Sequence, residues 1–498
     1  MAIRTGKQYI EGLRTPREVY VNGKLIKDVT TYPAFRRPIE SIARLYDMKN
    51  DPKYQSTVTY TEPSTGELTD IGFLLPKNSE ELVKRGKGFK AFSKASYGMM
   101  GRGPEFMNAY VASMGASWDY YGSYKKEWGE NVRRYYEYVR DNDLFLTHAL
   151  GTPQVDRSKP SSQQRDTFLH LGVKEETKEG LIIRGAKQLS TMAPMTDEIL
   201  VFPNGRAFVP GDERYCVGFA VPVSTKGLKI MCREPLIQSD ELNVYDHPLS
   251  SRFEEIDAMV IFDDVLIPWD RVFYYNSIEI ANNARTQASK GAGGLTTQQP
   301  QIRALVKAGM AAAIISKLTD SVKTNVHPQV AEKVGNVIAL LQATEGLLFT
   351  AERTGKVTEI GYYVPNPNFT GAFMILYHQF YTTMLQLIKE VGAAGLMLTP
   401  TVYDLVGPEA ENFNHYFAGA EIDGKHRVQI GKLAWDFVGD SFASRQQHYE
   451  RLYTGDPMFL AAVYSKNANI DEWLELTNQL LNEGQELLKS LEASPVTK

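Results

Sequence analysis

The segment AMVIFDDVLIPWDRVF, residues 258–273, marks the point where the chain changes from one structural pattern to another. Its β-branched and aromatic residues, followed by Pro and Asp, predict a strand that ends near residue 268. Similar short runs precede it, and helical spacing of apolar residues follows it. The earlier runs are LIIRGAKQLS, EILVFPN, YCVGFAVPV and LKIMCREPL, at residues 181–190, 198–204, 215–223 and 228–236. Since no long helix separates these strands, they predict an antiparallel barrel or sandwich and disfavour a Rossmann fold.

Helical spacing dominates on both sides of the strands. In ESIARLYDM, residues 40–48, apolar residues recur every third position, and long amphipathic segments run from residue 302 to the C-terminus. We therefore expect an N-terminal helical domain at 1–143, a central β domain at 144–271 and a C-terminal helical bundle with its tail at 272–498. The last segment, NIDEWLELTNQLLNEGQELLKSLEA from Asn469, carries leucines at near-heptad spacing. That spacing fits a bundle helix or a helix between subunits equally well.

Composition narrows the class of protein. The chain has 498 residues, 43% of them hydrophobic, and a formal net charge of −4. It has no basic stripe for nucleic acid and no polybasic patch for a membrane surface. The charged start and the lack of a run of about 20 apolar residues predict a soluble, cytoplasmic protein. The two cysteines, Cys216 and Cys232, are expected to be free thiols.

Several kinds of catalytic site lack their motifs. The eight histidines form no H-x-x-x-H or E-x-x-H pair, so we expect no metal site. The sequence also has no G-x-S-x-G elbow, no phosphate loop and no pyridine-nucleotide fingerprint.

Two segments instead place one ionisable side chain each among small and apolar neighbours. They are GMMGRGPEF, residues 98–106, and THALGTPQVDR, residues 147–157, and the ionisable residues are Arg102 and His148. A charge in such surroundings is unfavourable unless a ligand or partner offsets it, which suggests a binding site. Pro104 suits the first position of a helix, so Arg102 is expected just before a helix N-terminus.

These segments resemble the large, oxygenase component of the two-component flavin-dependent monooxygenases of the 4-hydroxyphenylacetate 3-hydroxylase family. The resemblance covers nearly the whole chain. Besides the two segments above, it includes RTGKQYIEGL, TTYPAFRRPIESIARLYDM, RGAKQLSTMAPMTDEILVFP, DHPLSSRFEEIDAMVIFDDVLIPWDRVF, VGAAGLMLTP and KLAWDFVGDSFASRQQHYERLYTGDP. It implies an acyl-CoA-dehydrogenase-like architecture, mainly α, with a central β-barrel and a C-terminal four-helix bundle. It also implies a homotetramer.

The resemblance implies a reaction as well. FAD, used as FADH2, reacts with O2 to form a C4a-hydroperoxyflavin that inserts one oxygen atom into a phenol or a related electron-rich ring. A separate NAD(P)H:flavin reductase supplies the reduced flavin. The catalytic residues would be Arg102 and His148, with Phe106, Asn204 and Gly205 also binding substrate. The flavin would contact His148, Ala149, Leu150, Gln154, Val155, Asp156, Arg157, Thr191, Asp456, Pro457, Met458 and Phe459.

Two departures from the family pattern bear on the substrate. The pattern GRxPDY ends in a tyrosine whose hydroxyl joins the substrate site, and here that residue is Phe106. The segment TTQQPQI, residues 296–302, stands where relatives tend to carry histidine. Alternatives on the same fold are an acyl-CoA dehydrogenase-like flavoenzyme and a catalytically degenerate flavin-binding scaffold. A 4-hydroxybutyryl-CoA dehydratase would need a cysteine-rich iron–sulfur ligand set, which two cysteines cannot supply.

Overall fold

Helices make up most of this computed structural model, which describes residues 3–203, 207–237, 242–284 and 293–493. The helices are α1 (Gly6–Gly12), α2 (Pro33–Met48), α3 (Gln55–Val58), α4 (Ser79–Ala95), α5 (Pro104–Ala116), α6 (Trp118–Gly122), α7 (Lys126–Asp141), α8 (Ser250–Phe253), α9 (helical over 278–284), α10 (Leu295–Ser321), α11 (Pro328–Arg353), α12 (Pro367–Gly392), α13 (Ala410–Tyr416), α14 (Gly424–Val438), α15 (Ser441–Leu452), α16 (Pro457–Asn467) and α17 (Asp471–Ala493). The helical spacing read from the sequence before residue 143 and after residue 273 is thus confirmed.

The strands lie mainly between these two helical regions. They are β1 (Glu18–Val21), β2 (Lys24–Ile26), β3 (Thr59–Thr61), β4 (Leu68–Asp70), β5 (Leu146–Ala149), β6 (Gly172–Glu176), β7 (Gly180–Thr191), β8 (Glu198–Val201), β9 (Val217–Pro222), β10 (Leu228–Cys232), β11 (Asp257–Pro268), β12 (Val272–Tyr275), β13 (Lys356–Val357) and β14 (Tyr363–Val364). The larger sheets have the orders β2-β1-β10-β11-β7-β6 and β12-β9-β8-β5. Two of the pairings, β1 with β10 and β5 with β8, are parallel, whereas the sequence had predicted antiparallel strands throughout.

The two sheets do not close into the β-barrel that the family resemblance implies. Strand β1, from the N-terminal region, pairs with β10 on the side opposite β11. This edge of β10 is therefore not available to pair with the second sheet. In the described residues the sheets meet instead through a bridge between Gly151 and Gln188 and through the edge-to-face contact of Phe219 with Phe262, at 5.7 Å. Of the barrel and the sandwich that the sequence allowed, the strands therefore form the arrangement with two separate sheets.

The C-terminal helices pack around α10. This helix contacts α11, α12 and α14, and also α4 and α5 of the N-terminal region. Buried apolar residues of α10 and α12, such as Ile314, Ile315, Phe373 and Tyr377, form part of the same continuous core as the sheets. Helix α10 thereby joins the two helical regions and, as described below, holds the loop that carries Arg102.

Large apolar surfaces stay exposed on the single chain. Helix α17 has no buried residue, and its Trp473, Leu480 and Leu487 are all well exposed. Helix α11 is long and apolar enough to cross a membrane by length and composition alone, contrary to the expectation from the sequence. Only 22% of its most apolar stretch is buried. Apolar surface on this scale marks an interaction site.

Candidate active site

The loop of residues 98–103 brings Arg102 to the start of α5. Gly103 is the N-cap of this helix and Pro104 its first residue, as the sequence predicted. Gly98 has a φ of +76°, in the left-handed region that favours glycine, and a Cβ there would lie 2.7 Å from the backbone nitrogen of Lys307. The glycines therefore allow the loop to lie directly against α10.

Three side chains from distant parts of the chain hold this loop. Arg303 of α10 donates to the carbonyl of Gly98 at 3.0 Å, and Gln446 of α15 donates to that of Met99 at 3.1 Å. The amide of Arg102 donates to Oε1 of Glu255 at 2.6 Å. Because each bond fixes a backbone group, the position of Arg102 depends on residues at least 153 positions away in sequence.

The guanidinium of Arg102 lies over an aromatic ring rather than against a carboxylate. Its Cζ is 4.1 Å from the ring centroid of Phe106. It forms no ion pair with any residue that the structure describes, and it is partly exposed. A cation over a ring face is stabilised by the ring quadrupole. Nη1 of Arg102 makes one long hydrogen bond, 3.4 Å to the carbonyl of Gly101, which leaves most of the guanidinium donors available. The group can therefore bind an anionic or strongly polar oxygen.

His148 completes this arrangement from β5. Its ring packs edge-to-face on Phe106 with centroids 5.8 Å apart, and strand β5 pairs with β8 through His148 and Leu200. Nδ1 is buried and has no hydrogen-bond partner. Burial, and then the positive charge of Arg102, lower the pKa of His148 to about 3, so the imidazole is neutral at pH 7. A neutral ring with a free nitrogen can accept a hydrogen bond from a bound hydroxyl.

Thr191 and the end of β5 lie together beneath this site. The hydroxyl of Thr147 donates to the carbonyl of Thr191 at 2.6 Å, and the hydroxyl of Thr191 donates to Asp257 at 2.8 Å. Ala149 is fully buried, and the carbonyl of Leu150 accepts a 3.0 Å bond from Lys187. The structure thus brings the proposed flavin contacts of residues 148–150 and 191 to one place.

The stretch from Gln154 to Arg157 follows as an exposed turn. Gln154, Val155 and Arg157 are exposed. Oδ1 of Asp156 accepts from the amide and hydroxyl of Ser158 at 3.0 and 2.6 Å, which is an Asx turn. The local role of Asp156 is therefore structural, while its neighbours have free side chains at the edge of the site.

The other proposed flavin contacts lie at the start of α16. Asp456 caps this helix by accepting from the amides of Met458 and Phe459 at 2.8 and 3.2 Å, with Pro457 at the first position. Met458 and Phe459 are 80% and 67% exposed. In the single chain they are open to solvent. Asn204 and Gly205 lie outside the described residues.

The second departure from the family pattern lies next to the first. Gln299 of α10 donates from Nε2 to Oε1 of Glu105 at 2.8 Å, and both side chains are buried. Burial raises the pKa of Glu105 to about 7, against the opposing effect of the Gln299 hydrogen bond. Gln299, from the segment TTQQPQI, therefore fixes the side chain of Glu105, which lies between Arg102 and Phe106 in sequence.

Sequence reasoning missed four residues near Arg102 that come from later parts of the chain. Arg445 pairs with Glu255 and Asp257, each at 2.8 Å, and the ring of Tyr449 lies 5.3 Å from the Cζ of Arg102. All four residues are in segments that carried the family resemblance, but nothing in the local pattern links them to Arg102. Their contacts become visible only when α15 meets the loop.

One group of possible metal ligands was also missed. Nitrogen and carboxylate atoms of His247, Asp436 and Asp440 lie within 4.8 Å of one another. Asp436 accepts hydrogen bonds from the amides of Leu249 and Ser250 at 2.5 and 2.9 Å. Burial, and then the Asp436 carboxyl, raise the pKa of Asp440 to about 8. The raised pKa of Asp440 keeps two neighbouring carboxyls from both carrying a charge at pH 7.

Comparisons with known proteins identify the family of this chain. Residues 5–274 match the family model described as 4-hydroxyphenylacetate 3-hydroxylase N terminal, and residues 284–482 match its C-terminal counterpart. The 4-hydroxyphenylacetate 3-monooxygenase oxygenase component of Thermus thermophilus is 37% identical over 98% of this chain and 100% of its own.

Solved structures give the same result. A crystal structure of the oxygenase component of 4-hydroxyphenylacetate 3-monooxygenase, complexed with FAD and 4-hydroxyphenylacetate, has a TM-score of 0.90 at 37% identity, covering 97% of this chain and 100% of that one. An archaeal 4-hydroxybutyryl-CoA dehydratase from N. maritimus has a TM-score of 0.85 at 19% identity, covering 96% and 95%. The second likeness concerns the fold alone.

Proposed function

This chain belongs to the 4-hydroxyphenylacetate 3-hydroxylase family and is the oxygenase component of a flavin-dependent aromatic hydroxylase, and we propose that its substrate is a phenol held through its oxygen by Arg102 and His148. The reaction inserts one oxygen atom of O2 beside the phenolic carbon. A related electron-rich ring with a polar substituent would satisfy the same groups.

The observation that carries this proposal is the arrangement around Phe106. The guanidinium of Arg102 and the ring of His148 both contact Phe106, at 4.1 and 5.8 Å between centres. Nδ1 of His148 has no partner, and Arg102 forms no ion pair with the described residues. Arg102 would favour the phenolate over the phenol because it stabilises negative charge. Neutral His148 would hydrogen-bond the phenolic oxygen rather than hold the phenolic proton, because its pKa of about 3 makes it a weak base. Loss of that proton raises the electron density of the ortho carbon, where the oxygen enters.

FAD is the cofactor, and residues of this chain could bind its flavin ring. The orphaned Nδ1 of His148 and the backbone of Ala149 and Leu150 would border the flavin ring beside Thr191. The exposed side chains of residues 154–157 would contact its more polar part. The bound cofactor supplies the oxygen-activating chemistry. The protein residues position the substrate and exclude water from the reacting carbon.

A separate reductase supplies the reduced flavin, and we propose that it uses NAD(P)H. This chain has no pyridine-nucleotide fingerprint of its own. The purified protein with FAD should therefore not oxidise NADH unless a reductase is added.

We also propose a homotetramer built through the C-terminal helices. Helices α10, α11, α12 and α14 would form the four-helix bundle, and the exposed faces of α11 and α17 would pack against other subunits. Met458 and Phe459, open in the single chain, would then reach the flavin of a neighbouring subunit. An interface on α11 accounts for its apolar composition in a cytoplasmic protein. The three domains would be 1–143, 144–271 and 272–498.

The test is product formation. The protein, FAD, a generic flavin reductase and NADH would be incubated with a panel of phenols, indoles and pyrrole carboxylates, and the products read by mass. One substrate should gain a single oxygen atom, and Arg102→Ala should abolish that gain. If reduced flavin is supplied and consumed but no compound is oxygenated, the chain is a degenerate flavin-binding scaffold.

A further inference from the structure

Tyr449 of α15 has a hydroxyl group that nothing in the described protein satisfies. Its oxygen is buried and has no hydrogen-bond partner. The hydroxyl occupies the space that a side chain at position 101 would fill, so only glycine at that position allows it to approach the loop. It therefore lies beside the residue that immediately precedes Arg102.

The ring of Tyr449 is fixed in this position from several sides. It stacks on Tyr453 at 5.1 Å, and the guanidinium carbons of Arg445 and Arg303 lie 5.0 and 5.5 Å from its centroid. The Cζ of Arg102 is 5.3 Å from the same centroid. The hydroxyl thus cannot easily turn toward another partner without leaving this packing.

The same surroundings keep the hydroxyl protonated. Burial raises the pKa of Tyr449, although the nearby charges of Arg102 and Arg303 act in the opposite direction. A protonated phenol is a hydrogen-bond donor, and a buried donor without a partner is unfavourable unless a ligand accepts from it. Nδ1 of His148 is likewise buried without a partner, and its ring and the guanidinium of Arg102 both contact Phe106.

We propose that Tyr449 is a substrate-binding residue, whose hydroxyl donates to the substrate oxygen held by Arg102. It would supply, from α15, the phenolic donor that Phe106 lacks. The assignment rests on the proposed phenol site. A substrate oxygen would then meet Arg102, His148 and Tyr449 together, above the apolar ring of Phe106.

The test measures binding of 4-fluorophenol to the FAD-loaded protein by 19F NMR, without reductant so that no turnover occurs. The fluorine shift reports both the bound fraction and the ionisation of the bound phenol. Tyr449→Phe keeps the ring and should weaken binding roughly three- to tenfold, the range expected for one hydrogen bond. It should also raise the pKa of the bound phenol, an effect that a purely structural role would not produce.

Tyr453→Phe is the matched control. Its ring stacks on Tyr449, but its hydroxyl is directed to the sulfur of Met374, at 3.8 Å. This variant should bind 4-fluorophenol as the wild type does. In the Tyr449→Phe background, Phe106→Tyr should restore most of the lost affinity, because it returns a hydroxyl to the site from the other side.

The outcomes separate two kinds of failure. If the wild type does not bind 4-fluorophenol, or binds it equally well after Arg102→Ala, the proposed phenol site and the role of Tyr449 both fail. If binding depends on Arg102 but a folded Tyr449→Phe protein keeps the wild-type affinity and phenol pKa, only the role of Tyr449 is overturned. The same holds if Phe106→Tyr gives no rescue in that background.

Discussion

The backbone amide of Arg102 donates a 2.6 Å hydrogen bond to Glu255, a fully buried carboxylate whose other oxygen pairs with Arg445 at 2.8 Å. Glu255 thus connects the loop of residues 98–103 to Arg445 of α15 through a buried carboxylate. Since the bond is made to the backbone, Glu255 controls where Arg102 lies without taking part in binding itself.

Replacing Glu255 by Gln should therefore impair catalysis through position rather than charge at the substrate. We expect kcat/KM to fall about tenfold, mainly through KM, and the protein to lose about 3 kcal/mol of stability because Arg445 loses part of its buried pairing. Steady-state kinetics and thermal unfolding measure both. Glu345→Gln, which removes an exposed ion pair with Lys90, is the control and should change neither. An unchanged KM in a destabilised Glu255 variant would show that the pair is only structural.

Arg102→Ala should weaken the binding of substrate more than the binding of FAD. The guanidinium contacts the ring of Phe106, the residue at the position of the family's substrate-site tyrosine. We expect the affinity for an acidic phenol to fall by more than tenfold and that for FAD to change by less than threefold, since a charge-assisted hydrogen bond contributes about 1.5–3 kcal/mol. Arg102→Lys keeps the charge without the planar fork and should lie between the two proteins. Collapse of FAD binding with unchanged phenol affinity would assign the residue to the cofactor instead.

His148 should give the protein a characteristic acid sensitivity. Its pKa is lowered from about 6.5 in the unfolded chain to about 3 in the folded one. The unfolded state therefore binds the additional proton between these values, and stability present above pH 6.5 is lost as the pH falls toward 3. His148→Gln should flatten this part of the curve in urea unfolding at pH 4 to 7. Equal slopes for both proteins would mean that the histidine is not protected from protonation.

Glu105 should produce the opposite dependence at higher pH. Its pKa is raised from 4.5 to about 7, so the folded state binds the additional proton, and stability falls as the pH rises from 4.5 through 7. Glu105→Gln keeps a neutral side chain beside Gln299 and should gain about 3 kcal/mol over the wild type at pH 8, and little at pH 4. A variant that is less stable than the wild type at pH 8 would contradict this account.

The exposed leucines of α17 should direct assembly. Deleting the chain from residue 469 should lower the mass measured by light scattering, because α17 buries nothing within its own chain. The double substitution of Leu480 and Leu487 by Glu should have the same effect, since these residues are seven positions apart on one face and 70% and 61% exposed. Glu483→Gln on the same helix serves as the control. An unchanged mass after both changes would show that the tail is peripheral.

The sequence by itself determined the elements and the chemistry of two positions. Periodicity located α5, with Pro104 at its start, and the strands from β7 to β11, because burial of one face imposes a repeat of 3.6 or 2 residues on the chain. Arg102 and His148 stood out because ionisable groups are rare among small and apolar neighbours. Family resemblance added the cofactor and the reaction.

Only the tertiary structure decided how these parts meet. The pairing of β1 with β10, which leaves two sheets in place of a barrel, joins segments about 200 residues apart and leaves no local pattern. The same is true of Glu255 beneath Arg102 and of Tyr449 against Gly101. Such contacts are set by packing between elements, and periodicity reports only which face of one element is buried, not which residue of another covers it.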